Sequence, residues 1–241
     1  MTPQRHSRMC RDGLRLVLVA LMLGGGLSGL SGCDPRQALF FLQPFEPEVP
    51  APCPSLEGKR VVILTSSVPG LATDYLSLDR DVARELSKAL RANVKKIDVV
   101  DPSEVFDWQQ AKPSWTDPTE AARAFEADVV ILLEIRDFQI QSPSSPGLFQ
   151  GHAETHIQVT ELAHPKNDRG KPIKDQPKEE ETIYTADQVS QFPVTGHIPV
   201  EAGTNAATFR GTFFKLMAKE LSWHFISHAP GDDIQDTHIG Q

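Results

Sequence analysis

One stretch of the chain constrains the fold more than any other, because it is apolar at successive positions. Within Asp128–Gln141 (DVVILLEIRDFQIQ), the residues Val129–Leu133 present no polar face. A strand of this kind is typical of the middle of a sheet, with other structure covering both of its sides. Lys59–Ser66 (KRVVILTS) is rich in β-branched residues and is a second candidate for a buried strand.

The segment between these two strands predicts a helix followed by a short strand. Ser67–Thr73 contains a proline and a glycine and is typical of a loop. Residues 77–92 carry apolar side chains four positions apart, which predicts an amphipathic helix with Ser77 as its N-terminal cap. These apolar residues are Leu78, Val82, Leu86 and Leu90. Ile97–Val100 is then expected to form a short second strand.

Two motifs of the same form predict two further helices before the long strand. Asp101–Glu104 (DPSE) and Asp117–Glu120 (DPTE) place aspartate at the cap, proline at the first helical position and glutamate at the third. Proline is tolerated there because the N–H that it lacks has no partner within the helix. Helices are therefore expected over residues 102–111 and 118–127, and we assign the acidic residues to capping rather than to catalysis.

The second half of the chain predicts an antiparallel meander and a closing helix. Polar and apolar residues alternate over residues 149–159, which predicts a strand with one solvated face. A polar loop over residues 163–178 leads to a strand over Glu179–Phe192, and residues 193–203 form a further connection. The last helix is expected over residues 204–228, where large apolar residues again lie four apart. The predicted fold class is α/β (α+β): a mixed sheet, parallel in its first half and an antiparallel meander in its second, with helices packed on it.

Residues 1–32 have the organisation of a signal peptide. Four arginines precede a short apolar stretch, and small residues follow it. Leu30–Cys33 (LSGC) resembles the lipobox of bacterial lipoproteins. The resemblance implies that the Cys33 thiol receives diacylglycerol, that the chain is cut between Gly32 and Cys33, and that the new terminus is acylated, for example with palmitate. Asp34 resembles an inner-membrane retention signal of enterobacterial lipoproteins, but the outer membrane stays an open alternative to the periplasmic face of the inner membrane.

Prolines separate the predicted lipidated terminus from the folded domain. Residues 33–58 contain six prolines, which favour extended backbone and predict a tether. The apolar patch Leu39–Leu42 has three open assignments: it docks on the domain, inserts at the membrane interface or binds in a groove of a partner. Cys53 is left as a lone cysteine, either an idle thiol or the site of an intermolecular disulfide. A single globular domain is expected over residues 59–229, followed by an acidic, disordered tail over residues 230–241.

The net charge argues against several binding functions. The whole chain has a formal net charge of -8. Removal of the signal peptide, with four arginines and one aspartate, leaves about -11 on the mature chain. Because an acidic protein is repelled by phosphate backbones, no nucleic acid is expected as a partner. The same charge disfavours broad adhesion to anionic lipid, so a membrane location has to come from the N-terminal lipid.

Four histidines are candidate metal ligands. His152 and His156, with Glu154 between them, project from one face of a predicted strand because alternate residues share a face. His224 and His228 are four apart on the last predicted helix, a spacing that can bind zinc or copper. A solvated strand face and a cation at a helix C-terminus are the simpler interpretations. We therefore assign no metal and no other cofactor, and keep these histidines as candidates.

No residues form a recognisable catalytic pattern. Ser66 and Ser67 end the first strand without the G-x-S-x-G frame of a serine nucleophile. Trp108, Trp115 and Trp223 are assigned to packing, since an acidic chain does not suit the stacking of nucleic-acid bases. The sequence therefore predicts that the protein is not an enzyme.

The order of these features resembles one broad class of envelope proteins. A lipobox, a tether, a K-R-V-V-I-L strand, an amphipathic helix, capped short helices, a D-V-V-I-L-L strand, a hairpin and a closing helix follow one another. They are similar to the periplasmic domain of curli-secretion-channel lipoproteins and to the lipoprotein activators of penicillin-binding proteins. The resemblance implies a non-enzymatic adaptor or assembly factor that contacts an envelope protein. The alternatives are a lipopolysaccharide-assembly-type lipoprotein that partners an outer-membrane barrel, and a metal-binding or enzymatic periplasmic lipoprotein.

Overall fold

A computed structural model describes the chain from Pro47 to Pro230, with gaps at residues 143–144, 166–172, 174–175, 177 and 200–204. The predicted signal peptide, the Gly32–Cys33 cleavage site, the Leu39–Leu42 patch and all but the first residue of the predicted tail lie outside the described residues. Within the described part, no helix is both long enough and apolar enough to cross a membrane.

Six strands form one mixed sheet. They are β1 (Arg60–Ser67), β2 (Asp98–Val99), β3 (Val129–Ser142), β4 (Ser145–Ala163), β5 (Glu179–Phe192) and β6 (Ile198–Pro199). The strand order is β2-β1-β3-β4-β5, and β6 pairs with β4. β1 is parallel to β2 and β3, whereas β3, β4 and β5 form an antiparallel meander. The predicted mixed sheet is therefore confirmed, with its parallel part first along the chain.

Helices cover both sides of the first part of the sheet. They are α1 (Pro69–Asp74), α2 (Leu78–Asn93), α3 (Pro102–Ala111), α4 (Thr119–Ala124) and α5 (Ala206–Ser222). Helices α2 and α5 pack on one side around a large core, and α3 and α4 pack on the other side around a smaller one. β3 supplies Ile131 and Leu133 to the large core and Val130 and Leu132 to the smaller one. The run that is apolar on both faces is thus buried on both faces, as its sequence predicts.

Residues 47–58, here called the N-terminal strap, pack on the domain. Val49 pairs with His228 in an isolated antiparallel bridge, and the Cys53 N–H donates to the His224 carbonyl oxygen at 3.0 Å. Cys53 and Leu56 are only 5% and 1% exposed. The prediction of a tether over residues 33–58 is therefore wrong for this part, because burial of apolar side chains holds the extended backbone against the domain. Burial of Cys53 favours the idle thiol over the intermolecular disulfide.

Two predicted segments before β3 differ from the structure: a predicted loop contains a helix, and a predicted helix is shorter. Ser67–Thr73 is typical of a loop in sequence but contains most of α1, which has Pro69 in its first turn and Leu71 packed on the large core. The helix expected over residues 118–127 is shortened to α4, which ends at Ala124. The chain turns sharply after it, since Glu126 has a positive φ of 54°.

Asp101 caps α3 as predicted, whereas α4 begins one residue late, with Pro118 at the cap position and Asp117 before it. The Asp101 carboxylate accepts the Ser103 N–H at 2.8 Å, and the Asp117 carboxylate accepts the Thr119 N–H at 2.9 Å. The hydrogen bond from Thr119, together with the charge of Arg123, lowers the pKa of the Asp117 carboxyl group. Ser77 precedes α2 as predicted, but its side chain makes no capping hydrogen bond.

The closing helix is shorter than its apolar spacing predicts. Helix α5 ends at Ser222 rather than at residue 228, and a tight turn follows. His224 and His228 therefore do not lie four apart on one helix, so the spacing argument for a metal site there is wrong. The connection predicted over residues 193–203 contains the short strand β6, which pairs with Leu148 and Phe149 of β4.

Candidate interaction surface

Part of the sheet has a polar face with no described helix over it. Helices α3 and α4 cover this side of the sheet only near β1. Further along, neighbouring residues of β3, β4 and β5 expose their side chains on the same side. We call this surface the open face. Its residues are Glu134, Asp137, Gln139, His152, Glu154, His156, Asp187 and Val189. They alternate with buried residues such as Ile135, Ala153 and Ile157, which point into the large core.

Charged pairs organise the open face. The His156 imidazole donates through Nδ1 to Asp187 Oδ1 at 2.6 Å, and Arg136 Nη1 lies 3.2 Å from the same oxygen. The hydrogen bond from His156 and the charge of Arg136 lower the pKa of the Asp187 carboxyl group. His152 Nε2 lies 3.7 Å from Asp137 and 3.6 Å from Glu154. Exposed pairs of this type add little to stability, so they mainly determine which charges a partner would meet.

His152 and His156 of β4 share a face, as predicted. Each of them pairs with carboxylates of the open face. The described residues contain no group of three or more His, Cys, Asp or Glu side chains suited to hold a metal ion. The other two candidate ligands, His224 and His228, contact different side chains. His224 Nδ1 lies 2.7 Å from the Tyr184 hydroxyl, whereas the His228 ring stacks on Trp223 with centroids 4.7 Å apart.

The serines and the remaining tryptophans have structural neighbours. Ser67 Oγ donates to Asp79 Oδ2 at 3.2 Å, between the end of β1 and the start of α2. Burial raises the pKa of the Asp79 carboxyl group, and the bond from Ser67 opposes that shift. Trp108 and Trp115 pack beside the smaller core with ring centroids 6.5 Å apart. The structure thus places these side chains in packing and capping positions.

Strand β5 forms one margin of the sheet, and no described strand lies beside its outer edge. In the pairing of β4 with β5, Gly151 faces Phe192 at one end and Ala163 faces Glu179 at the other. β6 pairs with β4 only outside this stretch. Among the described residues, no backbone hydrogen bond joins the outer edge of β5 to another segment. β5 has 14 residues, whereas strands usually have about 5–6. Such an edge offers a row of N–H and C=O groups to any extended chain.

The two ends of this edge differ in charge. The first three residues are Glu179, Glu180 and Glu181, and charged side chains of this kind are a common protection of exposed edges. The other eleven residues, Thr182–Phe192, contain one acidic residue, Asp187, and no basic residue. Val189 is 57% exposed within them. This second part of the edge is therefore the better site for an additional strand.

A hydrogen-bonded histidine fixes the same part of β5 from the core side. His224 Nε2 lies 3.1 Å from Gln188 Oε1, and Nδ1 lies 2.7 Å from the Tyr184 hydroxyl. Burial lowers the pKa of the His224 imidazole. The neutral ring satisfies both contacts, with Nε2–H donating to Gln188 and Nδ1 accepting from Tyr184. The edge is therefore connected to the N-terminal strap through the carbonyl of His224.

A pocket of about 510 Å³ lies at this edge, lined by Val189, Gln188, Trp223, His228 and prolines of the N-terminal strap. The sequence predicted β5 but not that its outer edge could bind a partner. The predicted order of strands already indicated this, because a meander that ends the sheet leaves its last strand at an edge. The pocket was not predictable, since it depends on a strap whose prolines predict a segment held away from the domain. The edge Thr182–Phe192, the pocket and the open face together form the candidate interaction surface.

No protein-family model matches the sequence, and no curated protein matches it. Among solved structures, the chain is similar to a PelC dodecamer from Paraburkholderia phytofirmans, with 11% identity, a TM-score of 0.40, and coverage of 76% of this chain and 97% of that one. It is also similar to the hypothetical protein CT253 from Chlamydia trachomatis, with 14% identity, a TM-score of 0.38, and coverage of 69% and 90%. A third is the lipoprotein GNA1162 from Neisseria meningitidis, with 11% identity, a TM-score of 0.35, and coverage of 70% and 99%.

Proposed function

We propose that this protein is a lipid-anchored component of the bacterial cell envelope that acts as a non-enzymatic adaptor for an envelope protein. The anchor is proposed from the lipobox that ends at Cys33. The adaptor role is proposed from one observation: over Thr182–Phe192, no described segment pairs with the outer edge of β5. A partner segment that adds to this edge as a strand gains main-chain hydrogen bonds, and its alternate side chains provide specificity.

The surroundings of the edge favour a particular kind of segment. Because Asp187, the one charged residue within Thr182–Phe192, already pairs with His156 and Arg136, the edge favours an uncharged segment. Val189 and the adjacent pocket suit an apolar side chain. Because His224 and the N-terminal strap already hold β5 in place, little ordering of the edge is required on binding.

Site-specific photo-cross-linking in living cells tests the adaptor role. A photoreactive amino acid placed at Thr185 or at Val189 samples two exposed positions of β5, on the same side of the strand as Asp187 between them. We expect both positions to react with the same envelope protein. The modified residues in that partner should lie about four apart, because paired strands advance equally per residue.

Gln110, an exposed residue of α3, is the matched control for this experiment. Adducts from Gln110 with the same protein, or cross-links from β5 at scattered positions of the partner, would contradict strand addition at the edge.

Mass spectrometry of the membrane-extracted protein tests the anchor. The expected N-terminal peptide begins at Cys33 and carries diacylglycerol and a fatty acid. A Cys33→Ser variant should lack both lipids. Recovery of an unmodified Cys33 peptide from a water-soluble chain would contradict lipid anchoring.

A further inference from the structure

The charge of the described residues is divided unevenly between the segments of α2 and α5 and the rest of the domain. Residues 78–96, which contain α2, and residues 206–222 of α5 carry nine basic and four acidic side chains, a net charge of +5. The other described residues carry six basic and nineteen acidic side chains, a net charge of -13. The overall acidity of the chain therefore hides a basic side, which we call the basic face. Its residues are Arg84, Lys88, Lys95, Lys96, Arg210, Lys215 and Lys219, whereas Arg80 lies over the Phe106 ring of α3 and Arg91 donates to the Val99 carbonyl oxygen.

The side chains of the basic face reach further into solvent than the acids between them. The side chains of Arg84 and Lys88 are 49% and 61% exposed, whereas those of their ion-pair partners Asp81 and Glu85 are 16% and 18% exposed. On α5, Lys215 and Lys219 are also exposed. An approaching surface thus meets basic groups first, although acidic residues are interspersed along α2.

The chain enters the domain beside this face. Lys88, Lys215 and Lys219 line a groove of about 560 Å³ between α2 and α5, and Glu48 of the N-terminal strap lines the same groove. Cys33 lies 14 residues before Pro47. An extended chain spans at most about 3.6 Å per residue, so a lipid on Cys33 would keep this end of the domain within about 50 Å of the bilayer.

We propose that the basic face of α2 and α5 binds the anionic headgroups of the membrane that holds the anchor. The inference rests on the proposed lipid anchoring and adds the orientation of the domain. A planar anionic surface can contact basic residues of both helices at once, and the anchor raises the local concentration of the face at that surface. Trp223, next to Lys219 at 5.4 Å, also lines the groove and suits the headgroup region. The strongly acidic remainder of the domain is repelled by the same surface, so one orientation is favoured.

Vesicle co-sedimentation tests this proposal with a chain that begins at residue 33 and carries Cys33→Ser, so that it has no lipid. We expect binding to phosphatidylcholine vesicles that contain phosphatidylglycerol, and none to phosphatidylcholine alone. A Lys88→Gln/Lys215→Gln/Lys219→Gln variant should bind at least about tenfold more weakly, since each cation near the surface contributes to attraction.

The matched control is Lys112→Gln/Arg123→Gln/Lys178→Gln, which makes the same charge change at exposed residues outside α2 and α5. It should bind like the parent chain. Equal losses in the two variants, equal binding to neutral vesicles, or release of the chain by inorganic phosphate at a matched phosphate concentration would each overturn the proposal. Because the tested chain has no lipid, a negative result leaves the anchor itself unaffected, and an unmodified Cys33 in cells leaves the vesicle result unaffected.

Discussion

At the scale of the residue, the large core restricts Gly151 of β4 most clearly. A Cβ at this position would lie 2.7 Å from Cγ of Phe213. Phe213 is fully buried, and its ring stacks on Phe138 with centroids 5.5 Å apart. A side chain larger than glycine at this position would have to displace the buried ring. Glycine is required here for a close approach of helix and strand, not for an unusual backbone angle.

Replacing Gly151 with alanine should therefore destabilise the domain. We expect Gly151→Ala to lower the free energy of unfolding by about 1–3 kcal/mol, the usual effect of overpacking a core. Gly147→Ala, in the same strand, is the control, since no atom lies within 4 Å of the position that a Cβ would take there. Urea unfolding of both variants measures the difference. Equal stabilities would show that Phe213 does not pack as described.

The thiol of Cys53 should be unreactive in the folded protein. Burial raises the pKa of the Cys53 thiol to about 11, although the charge of Lys59 opposes the shift. At a pH of about 8, iodoacetamide should alkylate the native Cys33→Ser chain about a hundredfold more slowly than the same chain in urea, because the thiolate is the reactive form. Mass spectrometry over time measures both rates. Similar rates would contradict the docking of the N-terminal strap.

At the scale of the element, periodic patterns predicted β1 to β5 and α2. They missed β6, the full extent of β4 (Ser145–Ala163 rather than residues 149–159) and the ends and attachments of other segments. The end of α5 was missed because Phe225 stays buried after the helix stops. Turn hydrogen bonds after Ser222 keep Phe225 facing the core, so the apolar spacing continues without a helix. The prolines before Gly58 correctly indicate extended backbone, but whether such a segment is docked depends on residues 224–228, far along the chain.

Leu56 tests whether the N-terminal strap belongs to the folded domain. It is 1% exposed and part of the large core. Leu56→Ala should lower the free energy of unfolding by about 2–4 kcal/mol, the range for truncating a buried leucine. Glu57→Ala changes the neighbouring exposed residue and should have little effect. If residues 47–58 were instead a free tether, both substitutions would change the free energy of unfolding equally little.

The attachment of β5 to the segment after α5 should depend on pH. Burial lowers the pKa of His224 below its usual 6.5, so the folded state resists protonation. The contribution of His224 to stability is therefore complete above pH 6.5 and is lost as the pH falls below it. The free energy of unfolding of His224→Gln should fall less than that of the parent protein as the pH is lowered below 6.5. Urea unfolding at several pH values measures this difference. The same pH dependence in His224→Gln and the parent would exclude this role, and His164→Gln serves as the control.

At the scale of the whole molecule, the two proposed surfaces lie mainly on opposite sides of the sheet and overlap at Trp223 and His228, which line both the groove beside the basic face and the pocket at the edge of β5. The basic face lies on the side of the sheet that α2 and α5 cover, whereas the open face lies on the opposite side. A domain that rests on a bilayer through α2 and α5 would leave the open face directed away from the membrane. The outer edge of β5 would then point sideways, where an envelope protein can reach it.

Fluorescence quenching can measure that orientation. A bimane probe attached at Lys215→Cys should be quenched by vesicles that contain brominated lipid and phosphatidylglycerol. The same probe at Gln110→Cys, on α3, should keep its emission, since α3 packs on the other side of the sheet. Quenching at Gln110→Cys that equals or exceeds quenching at Lys215→Cys would show that the domain has no such orientation.

The pairing of Val49 with His228 has a mechanical consequence. Together with the bond from the Cys53 N–H to the His224 carbonyl, it ties the N-terminal strap to the segment that follows α5. A pull transmitted along the polypeptide from a lipid would load these bonds before it reached β1. If the proposed anchor is present, the strap would thus take up tension from a moving bilayer, and the edge of β5 that we propose for partner binding would keep its shape.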